Sequence, residues 1–430
     1  MAAEACGVAL WEVNLERHRY LATLFATKDP VRILRELQLV LGFPEPDPQT
    51  QHLLFLDEIQ EIPEALACLR YFYEELPDLP VVAAGSLLEF TLANANFSMP
   101  VGRVETLWLG PLDFEEFLVG TGEASLATFL EQWTPEQSIL EGVHQKLLLK
   151  LREYFLVGGM PEAVQVFRET GSFSEVQVVH RSILTTYKDD FGKYTKGTTL
   201  EKLRRVFEIA PQTIGHKVKY TAFHPDWKAA DIRQALDLLE RAGLLLKVTH
   251  TDASGLPLGS QEDPTVFKLF FLDIGLVLNS WGTQGLDLDS FLNGKFLEEG
   301  KLAEQFAAQS LAFSQGRNAP PRLHYWLREG RNTNAEVDFI LSRGTEVIPL
   351  EIKAGASGSL RSLHQFMALK KLSTAFRCDL LPPTTQSVFT TVTTPSGKAE
   401  VTYQLHNLPL YLIISTFRVS SVSGATTRMK

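Results

Sequence analysis

Two acidic residues that follow a short apolar run are the first candidates for chemistry. Leu53 to Leu56 are four apolar residues in a row, and Asp57 and Glu58 come directly after them. Such a run is typical of a strand covered on both faces in a parallel sheet, and ligands of open α/β sheets bind beyond the carboxyl ends of the strands. Asp57 and Glu58 are therefore placed to hold Mg²⁺ and polarise a water molecule, as a Walker B segment does. The same pattern also fits solvated acids that begin a helix.

A second strand is predicted to end beside these acids. Apolar residues from Leu66 to Leu76 recur at helical spacing, and Val81 to Ala84 form another buried-type strand. Strand, helix and strand of this length make a βαβ crossover, which places Ser86 at the same sheet edge as Asp57. A polar residue there could hold the attacking water and the γ-phosphate. Ser86 could equally cap a helix over 87–95.

An arginine follows in a loop rich in proline and glycine. Arg103 precedes a predicted strand, Glu105 to Leu109, and a predicted helix around Phe114 to Leu118. The planar guanidinium suits bidentate contact with a phosphate, so Arg103 is a candidate for the same site. The alternative interpretation is an ordinary surface arginine.

A second constellation lies near the other end of the chain. Glu336 to Leu341 and Val347 to Lys353 are predicted to form a hairpin, in which Glu351 and Lys353 share a face. Asp338 followed by this Glu-x-Lys is the arrangement of the PD-(D/E)xK nucleases. Two carboxylates bind Mg²⁺, which activates water, while the lysine orients or deprotonates that water. Glu304, on a preceding helix, is a candidate third ligand. The alternative is an amphipathic hairpin with surface charges.

Composition sets the broad class of protein. The 430 residues are 45% hydrophobic and 21% charged, which is ordinary for roughly two to four globular domains. The net charge of −10 argues against a protein held to nucleic acid by overall charge, although a local basic stripe could still bind nucleic acid. Cys6, Cys68 and Cys378 have no CxxC spacing, so neither a disulfide framework nor a zinc site is predicted. Without a membrane-length apolar run or a signal-peptide pattern, we expect a cytoplasmic protein with no membrane partner.

Local signals predict the elements around the two constellations. Val8 to Leu15 is strand-like, and Pro30 opens a helix that Gly42 ends. Thr134 to Gln137 reads as a capping box that opens a helix, and Gly158-Gly159 closes the segment. The window from His180 to Arg205 is the most basic in the chain, but acids dilute it, which favours a solvated helical face. Ser/Thr-rich turns are predicted after Leu372, then a strand from Leu410 to Ser415.

The middle of the chain resembles a winged helix. A helix from Thr199 is followed by the helix Ala230 to Arg241, and then by strands from Leu244 to Thr249 and from Val266 to Leu272. Winged helices bind DNA or proteins, and three acids on the candidate recognition helix discourage docking in the major groove. These acids are Asp231, Asp237 and Glu240. A protein partner or a packing role is therefore at least as well supported as DNA.

Several longer segments resemble a known family. WEVNLE, LLFLDEIQEIPEALACLRYFYEELPDL, VVAAGSLLEF, SMPVGRVETLWLGPLDFEEFL and YFLVGGMPEAV are similar to a prokaryotic family of AAA+-like ATPases, whose C-terminal domain of unknown function is built on a restriction-endonuclease-like core. The resemblance runs from about Trp11 to Tyr411. It implies a P-loop sheet with Mg²⁺ and ATP as cofactors, Asp57 and Glu58 as Walker B, Ser86 as a sensor and Arg103 as a candidate arginine finger.

One departure from that family concerns the phosphates. Its members carry a glycine-rich loop ending in Gly-Lys-Ser/Thr before WEVNLE, and no GxxxxGK[ST] occurs in this sequence. Ser396-Gly397-Lys398 is followed by Ala399 where a hydroxyl is needed. The loop supplies most of the ligands of a bound nucleotide. We therefore expect either that the chain is an N-terminally shortened member of this family or that Asp57 and Glu58 are vestigial.

The sequence as a whole predicts an α/β protein with four regions. They are an incomplete AAA+-like domain over 1–130, with a P-loop NTPase-like parallel sheet lacking its first strand and phosphate loop; a helical and winged-helix-like region over 131–285; a restriction-endonuclease-like domain over 286–418; and a disordered tail over 419–430. The function predicted is nucleotide-coupled action on DNA or RNA, with phosphodiester hydrolysis at Asp338, Glu351 and Lys353. The alternative is a non-enzymatic assembly factor with vestigial sites. A protein partner and a second copy of the chain are the other candidate partners.

Overall fold

The computed structural model describes residues 7–44, 50–85, 102–282, 299–314, 316, 318–330, 334–353, 359–394 and 397–418. The chain divides into two compact units, Met1–Leu107 and Trp108–Lys430. Ser86, the predicted helix over 87–95 and the predicted tail over 419–430 lie outside the described residues. Within those residues, no helix is long and apolar enough to cross a membrane.

The first unit contains a parallel sheet of three strands in the order β1-β2-β3. The strands are β1 (Ala9–Asn14), β2 (His52–Asp57) and β3 (Val81–Ala83), and the helices are α1 (Ala22–Phe25), α2 (Pro30–Leu41) and α3 (Pro63–Glu75). Because α3 connects two parallel strands, it runs back antiparallel to them. The predicted crossover is confirmed, with β2 at the centre of the sheet.

Local sequence signals explain these elements. Asp29 accepts a hydrogen bond from the Arg32 main-chain N–H at 2.9 Å, Pro30 is the first helical residue of α2, and Gly42 ends the helix at φ 70°. Leu54 and Leu56 in β2 are buried, whereas Leu53 and Phe55 are only half-buried. The strand predicted to be covered on both faces therefore buries one face fully and the other in part.

The second unit is organised by a mixed sheet of eight strands in the order β10-β11-β9-β8-β7-β6-β4-β5. Its strands are β4 (Leu245–Thr251), β5 (Glu262–Phe271), β6 (Leu323–Arg328), β7 (Ala335–Arg343), β8 (Glu346–Ile352), β9 (Thr374–Asp379), β10 (Thr384–Thr394) and β11 (Gly397–Pro409). The pairs β4–β6, β8–β9 and β9–β11 are parallel, and the other neighbours are antiparallel. Since β4 pairs with β6, the sheet continues across the predicted boundary at 285.

The helices of this unit precede and flank the sheet. They are α4 (Phe114–Gly120), α5 (Ala124–Gln132), α6 (Glu141–Val157), α7 (Pro161–Thr170), α8 (Phe173–Tyr194), α9 (Gly197–Thr213), α10 (Ala229–Arg241), α11 (Ile274–Ser280), α12 (Glu299–Ser314), α13 (Arg361–Lys370) and α14 (Ser415–Arg418). Helices α9 and α10 followed by the β4–β5 hairpin have the order that suggested a winged helix, and that assignment stays a prediction.

Three predicted elements are wrong. No strand forms over Glu105 to Leu109. Thr134 to Gln137 forms a turn, closed by the Gln137 N–H on the Thr134 carbonyl at 3.0 Å, and α6 begins only at Glu141. Leu410–Leu412 is a 3₁₀ helix followed by α14, not a strand.

The segment after Leu372 also differs from its prediction. Instead of Ser/Thr-rich turns it forms β9, β10 and β11. Side chains of β10 are exposed over its first four residues and alternate between half-buried and exposed from Val388 on, and threonine suits such a pleated surface. A polar sequence is typical of turns, whereas here it forms a hairpin whose outer strand faces solvent.

Candidate functional site

In the first unit, Asp57 is the last residue of β2 and lies beside the last residue of β1. Asn14 pairs with Asp57 in the strand register, and its Nδ2 donates to Asp57 Oδ2 at 2.9 Å. The end of β3 is adjacent, because the Ala84 N–H donates to the Leu56 carbonyl at 2.9 Å. The carboxyl ends of the three strands therefore meet at one edge. Sequence reasoning missed Asn14: its place at the end of WEVN marks a polar residue at a strand end, but does not identify it as the partner of Asp57.

Glu58 adopts a backbone conformation that is unusual for its residue type. It lies in the left-handed region at φ 53° and ψ 46°, and the Gln60 amide donates to its carboxylate. Gly85 lies against the same amide, since a β-carbon on Gly85 would fall 2.1 Å from Gln60 Oε1. Non-glycine residues in this region carry strain, which is commonly found at functional sites.

Arg103 lies at a different place in the unit. Its Nε is 3.2 Å from Glu74 Oε1, and Arg70 pairs with the same carboxylate at 3.0 Å. Glu74 is near the carboxyl end of α3, and α3 runs antiparallel to β2. Arg103 is therefore bound toward the amino-terminal end of β2, away from Asp57.

In the second unit, four of the predicted residues come together. Glu304 projects from α12, Asp338 from β7 and Glu351 from β8, and Lys353 follows directly after β8. We call Glu304, Glu336, Asp338 and Glu351 the carboxylate cluster. Glu336 and Asp338 are two residues apart on β7, so they share a face, as Glu351 and Lys353 do on the next strand.

A buried lysine lies inside this cluster. Lys268, from β5, has a side chain only 1% exposed, and its Nζ is 3.2 Å from Glu304 Oε2 and 3.7 Å from Asp338 Oδ1. It also forms an ion pair with Glu336. Sequence reasoning missed Lys268, and it did not assign Glu336 to the site, because no motif links these two residues to Asp338.

The remaining contacts fix the carboxylates. Asp338 Oδ2 accepts a hydrogen bond from the Ile352 main-chain N–H at 2.9 Å. Lys353 Nζ lies 2.5 Å from Glu351 Oε1, and its main-chain N–H donates to the Cys378 carbonyl at 2.8 Å. Glu351 is 5% exposed, and its Oε2 has no hydrogen-bond partner among the described residues.

Burial and mutual repulsion change how these groups titrate. Burial, with the charge of Asp338, raises the pKa of Glu304 to about 7 and that of Glu351 to about 8. Burial lowers the pKa of Lys268, but the charges of Glu304, Asp338 and Glu336 outweigh it, so that the pKa is raised overall. The cluster therefore keeps its ammonium at neutral pH, while two of its carboxyl groups are partly protonated.

The donor chemistry of the cluster suits a hard cation. Carboxylate oxygens are the ligands that Mg²⁺ prefers in proteins, and Glu351 Oε2 is a buried acceptor without a donor. However, no group of three acidic, histidine or cysteine residues in the described part of the chain has a ready metal-binding arrangement. The Lys268 ammonium, close to Glu304 and Asp338, is the cation that the structure places there.

A loop from the helical region lies over one side of the cluster. Gly215 has φ 75°, and a β-carbon built on it would lie 3.3 Å from Glu304 Oε2. The Gly215 N–H donates to the Leu269 carbonyl at 3.2 Å, which fixes this loop against β5. A residue larger than glycine would press on the carboxylate, so the close approach accounts for glycine here.

Comparison with protein families gives three matches. Residues 9–118 match the model of an AAA domain. The first region is AAA-like. It contains Asn14, Asp57, Glu58 and Arg103, and the match agrees with a P-loop-like fold for the parallel sheet and with an ATPase-like protein.

The other two matches carry no functional description. Residues 148–287 match a domain of unknown function, DUF8612, and residues 299–398 match another, DUF4143. The DUF4143 match contains Glu304, Glu336, Asp338, Glu351 and Lys353. The DUF8612 match contains Lys268. No curated protein and no solved structure matches the chain.

Proposed function

We propose that this AAA-like protein acts on nucleic acid and that its second unit hydrolyses phosphodiester bonds with Mg²⁺. The observation that carries this proposal is the convergence of Glu304, Asp338 and Glu351 beside Lys353. These residues come from a helix and two neighbouring strands, and burial together with the nearby charge of Asp338 raises the pKa of Glu304 and of Glu351. The same residue types serve in nucleases that use two or three carboxylates and one lysine.

Each residue has a role that its contacts support. Glu304, Asp338 and Glu351 would hold the metal ion, with the unpartnered Glu351 Oε2 as one ligand atom. Bound Mg²⁺ supplies Lewis acidity and lowers the pKa of a bound water. The Lys353 side chain is 25% exposed and stays charged, because the pull of Glu351 outweighs the burial that lowers its pKa. It would orient the attacking water and offset the negative charge of the phosphate.

Nucleotide binding would belong to the first unit. Asp57, oriented by Asn14, and Glu58 would hold the Mg²⁺ of Mg-ATP, with Ser86 as the sensor. Arg103 is paired with Glu74, away from Asp57. As an arginine finger it would therefore serve a nucleotide on a second copy of the chain, which makes a homo-oligomer part of the proposal.

Mg²⁺-dependent cleavage of single- and double-stranded DNA and RNA tests the hydrolytic part. The variants are Lys353→Ala and, as a matched control, Lys398→Ala, which removes an exposed lysine of β11. We expect wild type and Lys398→Ala to cleave at least one substrate, and Lys353→Ala to be slower by on the order of 100-fold. Indistinguishable wild type and Lys353→Ala would refute the hydrolytic proposal.

Equilibrium binding of Mg-ATP tests the nucleotide part separately. Saturable binding that Asp57→Asn weakens would support it, because the carboxylate contacts the nucleotide through Mg²⁺ alone. Absence of binding would remove the ATPase part and leave the hydrolytic part standing.

A second candidate function is that of a non-enzymatic assembly factor. The observation that favours it is Lys268, whose ammonium neutralises the carboxylates that a metal ion would need. The winged-helix-like segment, α9 to β5, would then bind a protein partner. This alternative predicts that neither wild type nor any cluster variant binds Mg²⁺ or cleaves nucleic acid.

A further inference from the structure

We propose that Lys268 is an internal counter-ion that competes with a divalent metal ion for the carboxylate cluster. This inference rests on the metal site of the proposed function, and it concerns a residue outside the Asp and Glu-x-Lys motif. A metal ion would bind only when the ammonium leaves Glu304 and Asp338.

The competition follows from the individual oxygens. Asp338 Oδ2 is taken by the Ile352 N–H, so Oδ1 is the oxygen that faces the cluster, and Lys268 Nζ lies 3.7 Å from it. Glu304 Oε2 is 3.2 Å from the same Nζ. A metal ion held by Glu304, Asp338 and Glu351 would need these same oxygens, together with the unpartnered Glu351 Oε2.

The lysine is fixed in this place by its surroundings. Its side chain is almost fully buried, its Nζ lies 5.5 Å from the centre of the Tyr325 ring, and an ion pair to Glu336 holds it from the side of β7. A surface lysine would swing into solvent when a metal ion arrives. The buried Lys268 cannot do so. Its ammonium must instead move toward Glu336, the most exposed carboxylate of the cluster.

The consequence is a metal affinity that Lys268 keeps low. Removing the ammonium leaves several buried carboxylates without their main counter-charge, which is strongly unfavourable until another cation binds. A divalent ion supplies that charge. Because a metal ion binds the folded state alone, its binding then raises the stability of the variant.

The experiment uses the full chain with Lys268→Met, which keeps most of the apolar stem. Lys247→Met is the matched control, because Lys247 lies on the neighbouring strand β4 and pairs with Glu240, outside the cluster. Mn²⁺ affinity is measured by electron paramagnetic resonance, and the thermal midpoint with and without Mg²⁺ by calorimetry.

We expect Lys268→Met to bind one Mn²⁺ at least about tenfold more tightly than wild type, since a charge within about 4 Å is worth more than one factor of ten at an effective dielectric constant of about 20. Without metal, the midpoint of thermal unfolding of the variant is expected to be lower than that of wild type. Addition of Mg²⁺ is expected to raise the midpoint of the variant more than that of wild type. Lys247→Met is expected to bind like wild type. Equal or weaker Mn²⁺ binding by Lys268→Met would overturn the inference.

A second variant covers the case in which Lys268→Met does not fold. Lys268→Met/Glu336→Gln removes one positive and one negative charge together and leaves Glu304, Asp338 and Glu351 as ligands. We expect the same gain in Mn²⁺ affinity, and its absence would overturn the inference. A gain without nucleic-acid cleavage would refute the proposed hydrolysis alone, whereas cleavage without a gain would refute the competition alone.

Discussion

A β-carbon on Gly158 would lie 2.2 Å from Asp273 Oδ1, because the main chain at the end of α6 runs directly against the carboxylate that caps α11. Asp273 is fully buried and accepts hydrogen bonds from the N–H groups of Gly159 at 2.7 Å and Leu276 at 3.1 Å. Gln309 of α12 also donates to it, at 3.3 Å. The same carboxylate therefore ties α6 and α11 to the helix that carries Glu304.

This contact predicts that Gly158→Ala is severely destabilising. The residue has φ 69° and ψ −169°, a region that is essentially restricted to glycine and costs an alanine about 1–3 kcal/mol. Displacing Asp273 from its donors adds about 1–3 kcal/mol for unsatisfied buried groups. We expect a total loss of roughly 3 kcal/mol in the free energy of unfolding, measured by urea titration.

Gly171→Ala is the control for a glycine at positive φ that has no contact at its β-carbon position. Gly171 ends α7 at φ 65°, yet no atom lies within 4 Å of the position of its β-carbon. It should lose only the conformational part, about 1–2 kcal/mol. Equal losses in the two variants would mean that the Asp273 contact contributes nothing.

The sequence predicted the strands and helices around both candidate sites because their signals are local. The hairpin of β7 and β8 follows from short, mainly apolar runs on either side of a glycine turn, and α2 from Asp29, Pro30 and Gly42. Such patterns depend on neighbours within one turn or one strand. They also placed Asp338, Glu351 and Lys353 together.

Lys268 and Asn14 could not be predicted in the same way. Lys268 is 36 residues from Glu304 and lies in a strand that the sequence pattern assigns to a separate winged-helix-like region. Only the parallel pairing of β4 with β6 brings its hairpin into the sheet of the cluster. Asn14 contacts Asp57 across a strand register that no local pattern specifies.

The failed capping box shows the limit of a local signal. The Gln137 side chain does accept from the Thr134 main-chain N–H, at 3.4 Å, as the motif requires. The chain nevertheless closes a single turn, and the Gln137 carbonyl accepts from Trp133 Nε1 at 3.2 Å. That bond, from a side chain just before the motif, occupies a carbonyl that a helix would use, and the four-residue motif alone does not report it.

The strain at Glu58 can be measured by comparing two substitutions. Glu58→Gly and Glu58→Ala both lose the contact with Gln60, and only glycine adopts φ 53° without steric cost. We expect Glu58→Gly to be more stable than Glu58→Ala by about 1 kcal/mol in urea titrations. If alanine is as stable as glycine, the left-handed conformation is not retained in solution.

Acid should destabilise the protein through His364. Burial lowers the pKa of this histidine, whose Nδ1 shares a hydrogen bond of 2.9 Å with Tyr403 Oη. As pH falls, His364 is therefore protonated in the unfolded state before it is protonated in the folded state. The contribution of neutral His364 to stability is complete above the unfolded pKa near 6.5. It is lost as pH falls toward the folded pKa. We expect His364→Gln to lose less stability than wild type between pH 7 and pH 5. Parallel urea midpoints across that range would contradict this.

Two substitutions of Asp338 separate its role in stability from its proposed role as a metal ligand. Asparagine can still accept the 2.9 Å hydrogen bond from the Ile352 N–H, whereas alanine leaves that buried donor unsatisfied, at a cost of about 1–3 kcal/mol. We expect Asp338→Asn to unfold within about 1 kcal/mol of wild type and Asp338→Ala to be destabilised by about 2 kcal/mol. Both should reduce Mg²⁺-dependent cleavage by on the order of 100-fold, since both remove a charged ligand. Urea titration and cleavage assays on the same preparations measure the two effects, and an Asp338→Asn variant that cleaves like wild type would exclude Asp338 as a metal ligand.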